Sequence, residues 1–333
     1  MKKNYFIGID VSKHTLDIAL YGEKGKSKEN HLVIQNHQKG FEDFINWLKL
    51  KNIPYENIFI CMEHTGLYSF EFQFFLERMN ICYCMESGLR IKKSIGIVRG
   101  KNDKIDAFCI AEYCYEKREK LLPTLMPSKE IFTLRRLISE RKRYTQMLAK
   151  YKVIAKDIAK YESEIAQKRT IVTIGFIEKT ITDIEEDVLK IINSERSLKQ
   201  NYYLLSTIKG IGLVNAINTI VFTNNFTSFS SPREYACYIG VAPFPNRSGS
   251  SIHGKTKVSK IGNSNLKAEL TQAAVNASRW DTGLKNYFNR KMKEKGGERH
   301  NYGIVLNAVK FKLICRMFAV IKRQTPYIEL SYN

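Results

Sequence analysis

Apolar positions in the first third of the chain alternate between a spacing of two and spacings of three and four. Tyr5, Phe6, Ile7, Ile9 and Val11 form a β-branched and aromatic run bounded by polar residues, which predicts a buried strand carrying Asp10 at its far end. A second strand is expected from His14 to Tyr21 and, past the turn residues Gly22 to Lys26, a third from His31 to Gln35. Phe41, Phe44, Ile45 and Leu48 then mark a helix, followed by a strand over Ile58 to Met62, a helix over Tyr68 to Met79 and a strand over Ile81 to Met85. From about Ser128 to Ser206 the rhythm changes. Leu134, Leu137, Tyr144, Leu148, Tyr151, Ala155, Ile158 and Ile165 follow alternating steps of three and four, with Arg141 and Glu162 at the two missed positions. Ile177, Ile181, Ile184, Val188 and Ile191 repeat the pattern, which predicts a helical hairpin or coiled coil. Such a segment either spaces two domains or dimerises through its apolar seam. In the last third, Gly210 and Gly212 flank Ile211 between two helical runs, and helices are expected from about Asn265 to Arg279 and Gly303 to Ile321.

Three antiparallel strands followed by alternating helices and parallel strands is the order of a ribonuclease H-like domain, with the first strand central and the fourth beside it. The chain therefore reads as α/β plus all-α. A ribonuclease H-like domain covers 1–122, a helical coiled-coil spacer 123–203 and a mainly helical C-terminal domain 204–333. In that layout Asp10 and Glu63 emerge as neighbours. Asp103 and Asp106, three apart on a helix starting near Lys101, share one face that can point back at them. Singly, each acid has an ordinary use as a turn cap, a strand-end surface acid or a first-turn acid. Together they form a hard oxygen set suited to Mg²⁺ or Mn²⁺, and paired ions roughly 4 Å apart can clamp the attacking and leaving oxygens of a phosphodiester.

Charge points to the partner. Lys and Arg number 54 against 33 Asp and Glu, a formal net charge of +21, so a polyanion is expected and nucleic acid is the leading one. No run of about 18 apolar residues exists to span a membrane, and Met1-Lys2-Lys3 leads into a strand rather than a signal peptide, so a cytoplasmic, DNA-associated protein is expected. The seven Cys lack zinc or redox spacing and read as reduced core thiols, and none of the six His has a Cys or His at ligand spacing. Five basic residues and no acid lie between Asn246 and Ala268, making Arg247, Lys255, Lys257 and Lys260 candidate phosphate contacts. The amides around Gly210 and Gly212 could grip a phosphate backbone in a helix-hairpin-helix, although a Gly-x-Gly turn also serves as a plain helix cap. Ser248 could contact phosphate, belong to a flexible linker or act as a nucleophile; Ser250 and Ser251 are close by, and no His base adjoins it.

Several short motifs together carry a resemblance. They are Gly8 to Lys13, Met62 to Tyr68, Lys101 to Ala107, Ile208 to Gly212, Tyr238 to Pro243 with Ser248-Gly249, and Val258 to Asn263. In their order and spacing the chain resembles transposases of the insertion sequence 110 family, which includes the Piv-type DNA invertases. The resemblance implies a RuvC-like domain whose Asp-Glu-Asp-Asp tetrad maps onto Asp10, Glu63, Asp103 and Asp106 and binds Mg²⁺ or Mn²⁺. It also implies a C-terminal transposase domain whose nucleophilic Ser maps onto Ser248 and joins DNA through a covalent serine link. A noncoding guide RNA, the bridge RNA, would pair with donor and target DNA, and a homodimer or homotetramer would form a composite site. The rival is a RuvC-like endonuclease that hydrolyses DNA junctions with water. One departure is Asn102, which stands where Thr is common.

Overall fold

The computed structural model describes residues 3–22, 28–64, 66–96, 102–248, 252–259 and 261–329. The chain divides into two compact units, Met1–Met126 and Pro127–Asn333.

In the first unit, strands β1 (Tyr5–Val11), β2 (Thr15–Tyr21) and β3 (His31–Gln35) are followed by helix α1 (Gln38–Leu50), β4 (Ile58–Glu63), α2 (Phe70–Arg78), β5 (Cys82–Glu86), α3 (Gly88–Ile95) and α4 (Asp103–Glu116). The strands form one sheet in the order β3-β2-β1-β4-β5. The β1-β2 and β2-β3 pairs are antiparallel and the β1-β4 and β4-β5 pairs parallel, so β1 is central with β4 beside it, as the strand order predicts. Alternation along β1 sends Ile7, Ile9 and Val11 into a core with Phe44, Leu48, Phe72 and Leu76, while Phe6 joins Phe59, Cys61, Ile110 and Cys114 on the opposite face. Gly8 also belongs to that second face, and it is glycine for a steric reason. A Cβ there would lie 2.1 Å from the Ala111 amide nitrogen and 2.4 Å from the Ala107 carbonyl oxygen of α4. The helix rests directly on the central strand, backbone against backbone, through its small residues Ala107 and Ala111.

The second unit begins with α5 (Lys129–Val153), which passes through a π-helical turn at Ile154–Ile158 and a 3₁₀ turn at Ala159–Tyr161 into α6 (Glu164–Ser194). Arg141 pairs with Glu185 at 2.7 Å and Lys152 with Glu178 at 2.8 Å, a register in which one number rises as the other falls. The helices thus form an antiparallel hairpin. Its base does not stand alone: Ile131, Leu134, Ile184, Val188 and Ile192 share a core with residues of the helices that follow. The base of the hairpin thus contributes to the core of the second unit, and the even heptad rhythm is interrupted where the π-helical turn falls, at Ala155 and Ile158. Toward the far end of the hairpin Val153, Ile165, Val172 and Phe176 are exposed.

There follow α7 (Arg196–Ser206), α8 (Leu213–Phe222), α9 (Pro232–Tyr238), strands β6 (Pro243–Ser248) and β7 (Ile252–Val258), α10 (Ser264–Trp280), α11 (Thr282–Glu294) and α12 (Tyr302–Arg323). Val309, Leu313, Ile314 and Met317 make α12 a central rod of this core. Asp281, which is 0% exposed, ties three parts together: its carboxylate caps α11 at the Leu284 amide (2.8 Å) and accepts from Arg316 and from the Tyr327 hydroxyl, each at 2.8 Å. The basic stretch that follows Asn246, for which no strand is expected from periodicity, belongs to the antiparallel β6-β7 hairpin. Helices α3 and α11 are likewise additions to the elements expected from periodicity.

Candidate catalytic centre

Four acids lie toward one end of the first sheet, near enough for the charges of three to act on the fourth, Asp10. Asp10 leaves β1 one residue after Ile9, whose parallel partner on β4 is Met62, so Glu63 emerges from the adjacent strand beside it. Helix α4 brings the other two. Its N-cap is Asn102, whose side-chain oxygen accepts the Ile105 amide hydrogen at 2.8 Å, so the helix starts at Asp103, close to the expected start near Lys101, which itself lies outside the described residues. Thr and Asn both cap well, which accounts for Asn102 in a position where Thr would do the same work. With the helix start set by this cap and its height above β1 set by Gly8, Asp103 and Asp106 are delivered toward Asp10 from the first turn.

The electrostatics record their proximity. The Asp10 carboxyl is pushed up to about 6, first by its partial burial and then by the negative charges of Asp103, Asp106, Glu63 and Asp17. Among the described residues, no cation within 4 Å pairs with any of the four acids. A cluster of like charges without a counterion fits a hard divalent cation in donor type. In placement the set is open, for among the described residues no three acidic, Cys or His side chains are gathered tightly enough to enclose an ion. The Glu63 carboxylate lies over Gly88 at the start of α3, where a Cβ would come 1.9 Å from Oε1.

Two acids absent from the sequence reading border the cluster. Asp17 is the cross-strand partner of Asp10, and Glu86 is the parallel partner of Glu63. Both already have partners: Asp17 contacts His31 Nε2 at 3.0 Å, while Glu86 accepts from the Tyr113 hydroxyl at 3.0 Å and from Arg90. Asp17 sits mid-strand among apolar residues, and that buried acid in an alternating run was the available signal.

The other candidate residues belong to the second unit. Ser248 is the last residue of β6, paired with Ile252 across the hairpin, and Arg247 pairs with His253; their side chains, and that of Lys255, lie outside the described part of the structure. Lys260, Ser250 and Ser251 are also outside it. Lys257 is exposed on β7 opposite Phe244. Gly210 and Gly212 occupy the turn between α7 and α8, the helical pair expected there. Packing accounts for Gly210, whose φ of +93° suits glycine and whose Cβ would meet the Ala273 carbonyl oxygen at 2.7 Å. Gly212 is the N-cap of α8, with open space around its α-carbon.

Both units match known proteins. Residues 202–289 match the model of the Transposase IS116/IS110/IS902 family, and residues 7–158 match a Transposase model of the IS110 type that takes its name from the Asp-Glu-Asp-Asp set. The chain belongs to the IS110 transposases. Over 331 residues this transposase is 26% identical to the pilin gene-inverting protein of Moraxella bovis, covering 98% of each chain, and the Moraxella lacunata protein of the same name matches to the same extent. A 124-residue match at 28% identity links it to the insertion element IS110 uncharacterized 43.6 kDa protein of Streptomyces coelicolor, over 37% of this chain and 29% of that one. The transposase is thus a DNA-recombining enzyme. Its first family match runs from β1 to the tip of the α5-α6 hairpin and includes all four acids, and its second includes the β6-β7 hairpin with Ser248. Among the described residues no helix is long and apolar enough to cross a membrane.

Proposed function

We propose that this transposase cuts and rejoins DNA through a covalent bond to Ser248, assisted by divalent metal at Asp10, Glu63, Asp103 and Asp106. The observation that carries the reading is the placement of the four acids at one end of the sheet, where the Asp10 carboxyl is raised first by its burial and then by the charges of the other three. The sheet order supports a RuvC-like, ribonuclease H-type assignment for the first unit. Mg²⁺ or Mn²⁺, when bound, would neutralise charge on the phosphate and lower the cost of ionising a nearby hydroxyl.

The chain's own residues do the rest. The Ser248 oxygen attacks the phosphorus of a phosphodiester; the new O–P bond forms as the bond to the leaving deoxyribose oxygen breaks, and that oxygen takes up a proton as the serine gives one up. A hydroxyl from a second strand then reverses the exchange, so rejoining needs no external energy. The relatives named for inverting a pilin gene suggest the same class of outcome here, two DNA sites exchanged rather than one site hydrolysed. Arg247, Lys255, Lys257 and Lys260 supply phosphate contacts, with the amides near Gly210 and Gly212 as a further backbone grip. A bridge-type noncoding RNA reads donor and target by base pairing while the basic surface reads backbone and shape. The exposed apolar positions at the far end of the α5-α6 hairpin support assembly as a homodimer or homotetramer on DNA in the cytoplasm.

A recombination assay on paired donor and target DNA tests this. Asp10→Asn and Glu63→Gln should each lower strand exchange at least about a hundredfold while leaving DNA binding in place. Full activity in both variants would remove the metal cluster from the mechanism.

A further inference from the structure

At the root of the β6-β7 hairpin the second unit holds a cavity of about 1190 Å³. One face of α12 forms its back wall, β7 and Pro243 one side, and α10 and α11 contribute from the other. Among the described residues that line it, cations are numerous and acids absent: Lys257, Lys267, Lys310, Lys312 and Arg316 all face it. Within 4 Å, only Arg316 of these five has a described carboxylate partner, Asp281. Lys267 donates to the Gly240 carbonyl oxygen at 2.8 Å, and Lys312 lies 4.5 Å from the centre of the Tyr287 ring.

Lys310 is the unusual member. It is 6% exposed and makes no hydrogen bond or ion pair with any described residue. Burial, reinforced by the neighbouring positive charge of Lys267, brings its ammonium down to about 8. A largely buried ammonium with no described protein partner, opening onto a cavity that other cations line, is a favourable contact for an anion. The remaining lining narrows the anion's identity. Val241, Val258, Ile304 and Phe311 give the cavity an apolar side, which inorganic phosphate would leave uncovered. The volume suits a nucleotide-sized group and is too small for a duplex.

We propose that this cavity is a subsite for one unpaired nucleotide of a nucleic-acid strand, its phosphate held by Lys310 and Lys267 and its base laid against Val258, Ile304 and Phe311. The proposal rests on the reading that the enzyme works on nucleic-acid strands, and it adds where one strand is held. The subsite is separate from the reacting phosphate. Pro243 lines the cavity and Ser248 ends the same strand, so five residues at about 3.3 Å each, less the shortening from the irregularity between Phe244 and Asn246, separate them by up to roughly 17 Å. That corresponds to about five nucleotides of duplex rise at 3.4 Å each. Lys310 is accordingly a positioning residue and not the base for Ser248. The chemistry is shared by DNA and RNA, because a splayed nucleotide of a DNA strand and one of a guide RNA present the same phosphate and ring faces.

The test measures binding of the full chain to a short DNA single strand, the RNA of the same sequence and the corresponding DNA duplex across a salt series, for wild type, Lys310→Met and Ile304→Ser. Lys310→Met should weaken single-strand binding about tenfold, reduce the salt slope by about one and leave duplex binding nearly unchanged. Its melting temperature should not fall, since a buried unpaired charge is removed, so the loss cannot be laid to misfolding. Ile304→Ser, at an exposed position, should weaken binding of the ordinary strand but not of an abasic one. A loss confined to DNA or to RNA names the strand that occupies the cavity. Wild-type-like single-strand binding by Lys310→Met, or an equal loss for strand and duplex, overturns the subsite alone. Failure of the wild type to bind any nucleic acid overturns the proposed function with it.

Discussion

Among the four acids Asp10 has the most perturbed carboxyl. Its carboxyl, ordinarily near 3.8, is raised to about 6 in the folded chain, so the native state holds a proton that the unfolded chain has already released over that interval. The associated stability is fully present below the unfolded value and is lost as pH rises through about 6. In chelator, unfolding temperature should therefore decline between about pH 4 and pH 7 through this group, and Asp10→Asn should flatten that decline and melt a few degrees higher at pH 8. Calorimetry across pH checks it; an Asp10→Asn variant less stable than wild type at pH 8 would contradict the charge cluster. Gly8 makes a steric prediction. Gly8→Ala would drive a methyl group against the α4 backbone, costing about 1–3 kcal/mol in a denaturant melt and carrying Asp103 and Asp106 away from Asp10, with activity lost beyond what instability explains. The four acids were legible because strand ends and an i, i+3 pair leave marks in spacing. The turn of Glu63 toward Gly88 was not, because a side-chain rotamer answers to neighbours that spacing does not encode.

Elements follow the same division. The strands of the first sheet lie within about a residue of their expected limits because their β-branched runs are bounded by turn residues, as in β2 and β3. The β6-β7 hairpin escaped notice because Pro243, Pro245 and a Gly-Ser stretch read as punctuation, although proline is tolerated in a two-stranded ribbon that has only edges. Helix α3 is short and begins at a glycine, so periodicity had little to work on. The interruption of the hairpin by a π-helical turn, and the sharing of its base with the C-terminal core, depend on contacts far apart in sequence. At this scale the α4 cap is testable. Asn102→Ala should cost about 1 kcal/mol, fray the turn bearing Asp103 and reduce activity, whereas Asn102→Thr should restore both stability and activity in paired melting and recombination assays. Loss of activity in Asn102→Thr equal to that in Asn102→Ala would place Asn102 in chemistry rather than capping.

For the whole molecule, a net charge of +21 is tolerable where a polyanion neutralises it, and the family identity supplies one in DNA. The two halves of the proposed chemistry are encoded in different compact units, the acids in one and the serine in the other. That division was visible in the sequence, as a strand-rich half followed by helical rhythms. The basic cavity was not, since Lys257, Lys267 and Lys310 come from three separate elements and no local spacing joins them. The central claim is that a serine becomes bonded to DNA. Incubating the enzyme with Mg²⁺ and its DNA, denaturing the mixture, digesting it and sequencing the nucleotide-bearing peptide by mass spectrometry reads that bond directly. A phosphodiester on Ser248, absent from Ser248→Ala and from Asp10→Asn, is the expected result; metal-dependent DNA cleavage that persists undiminished in Ser248→Ala, with no peptide carrying DNA, would contradict it.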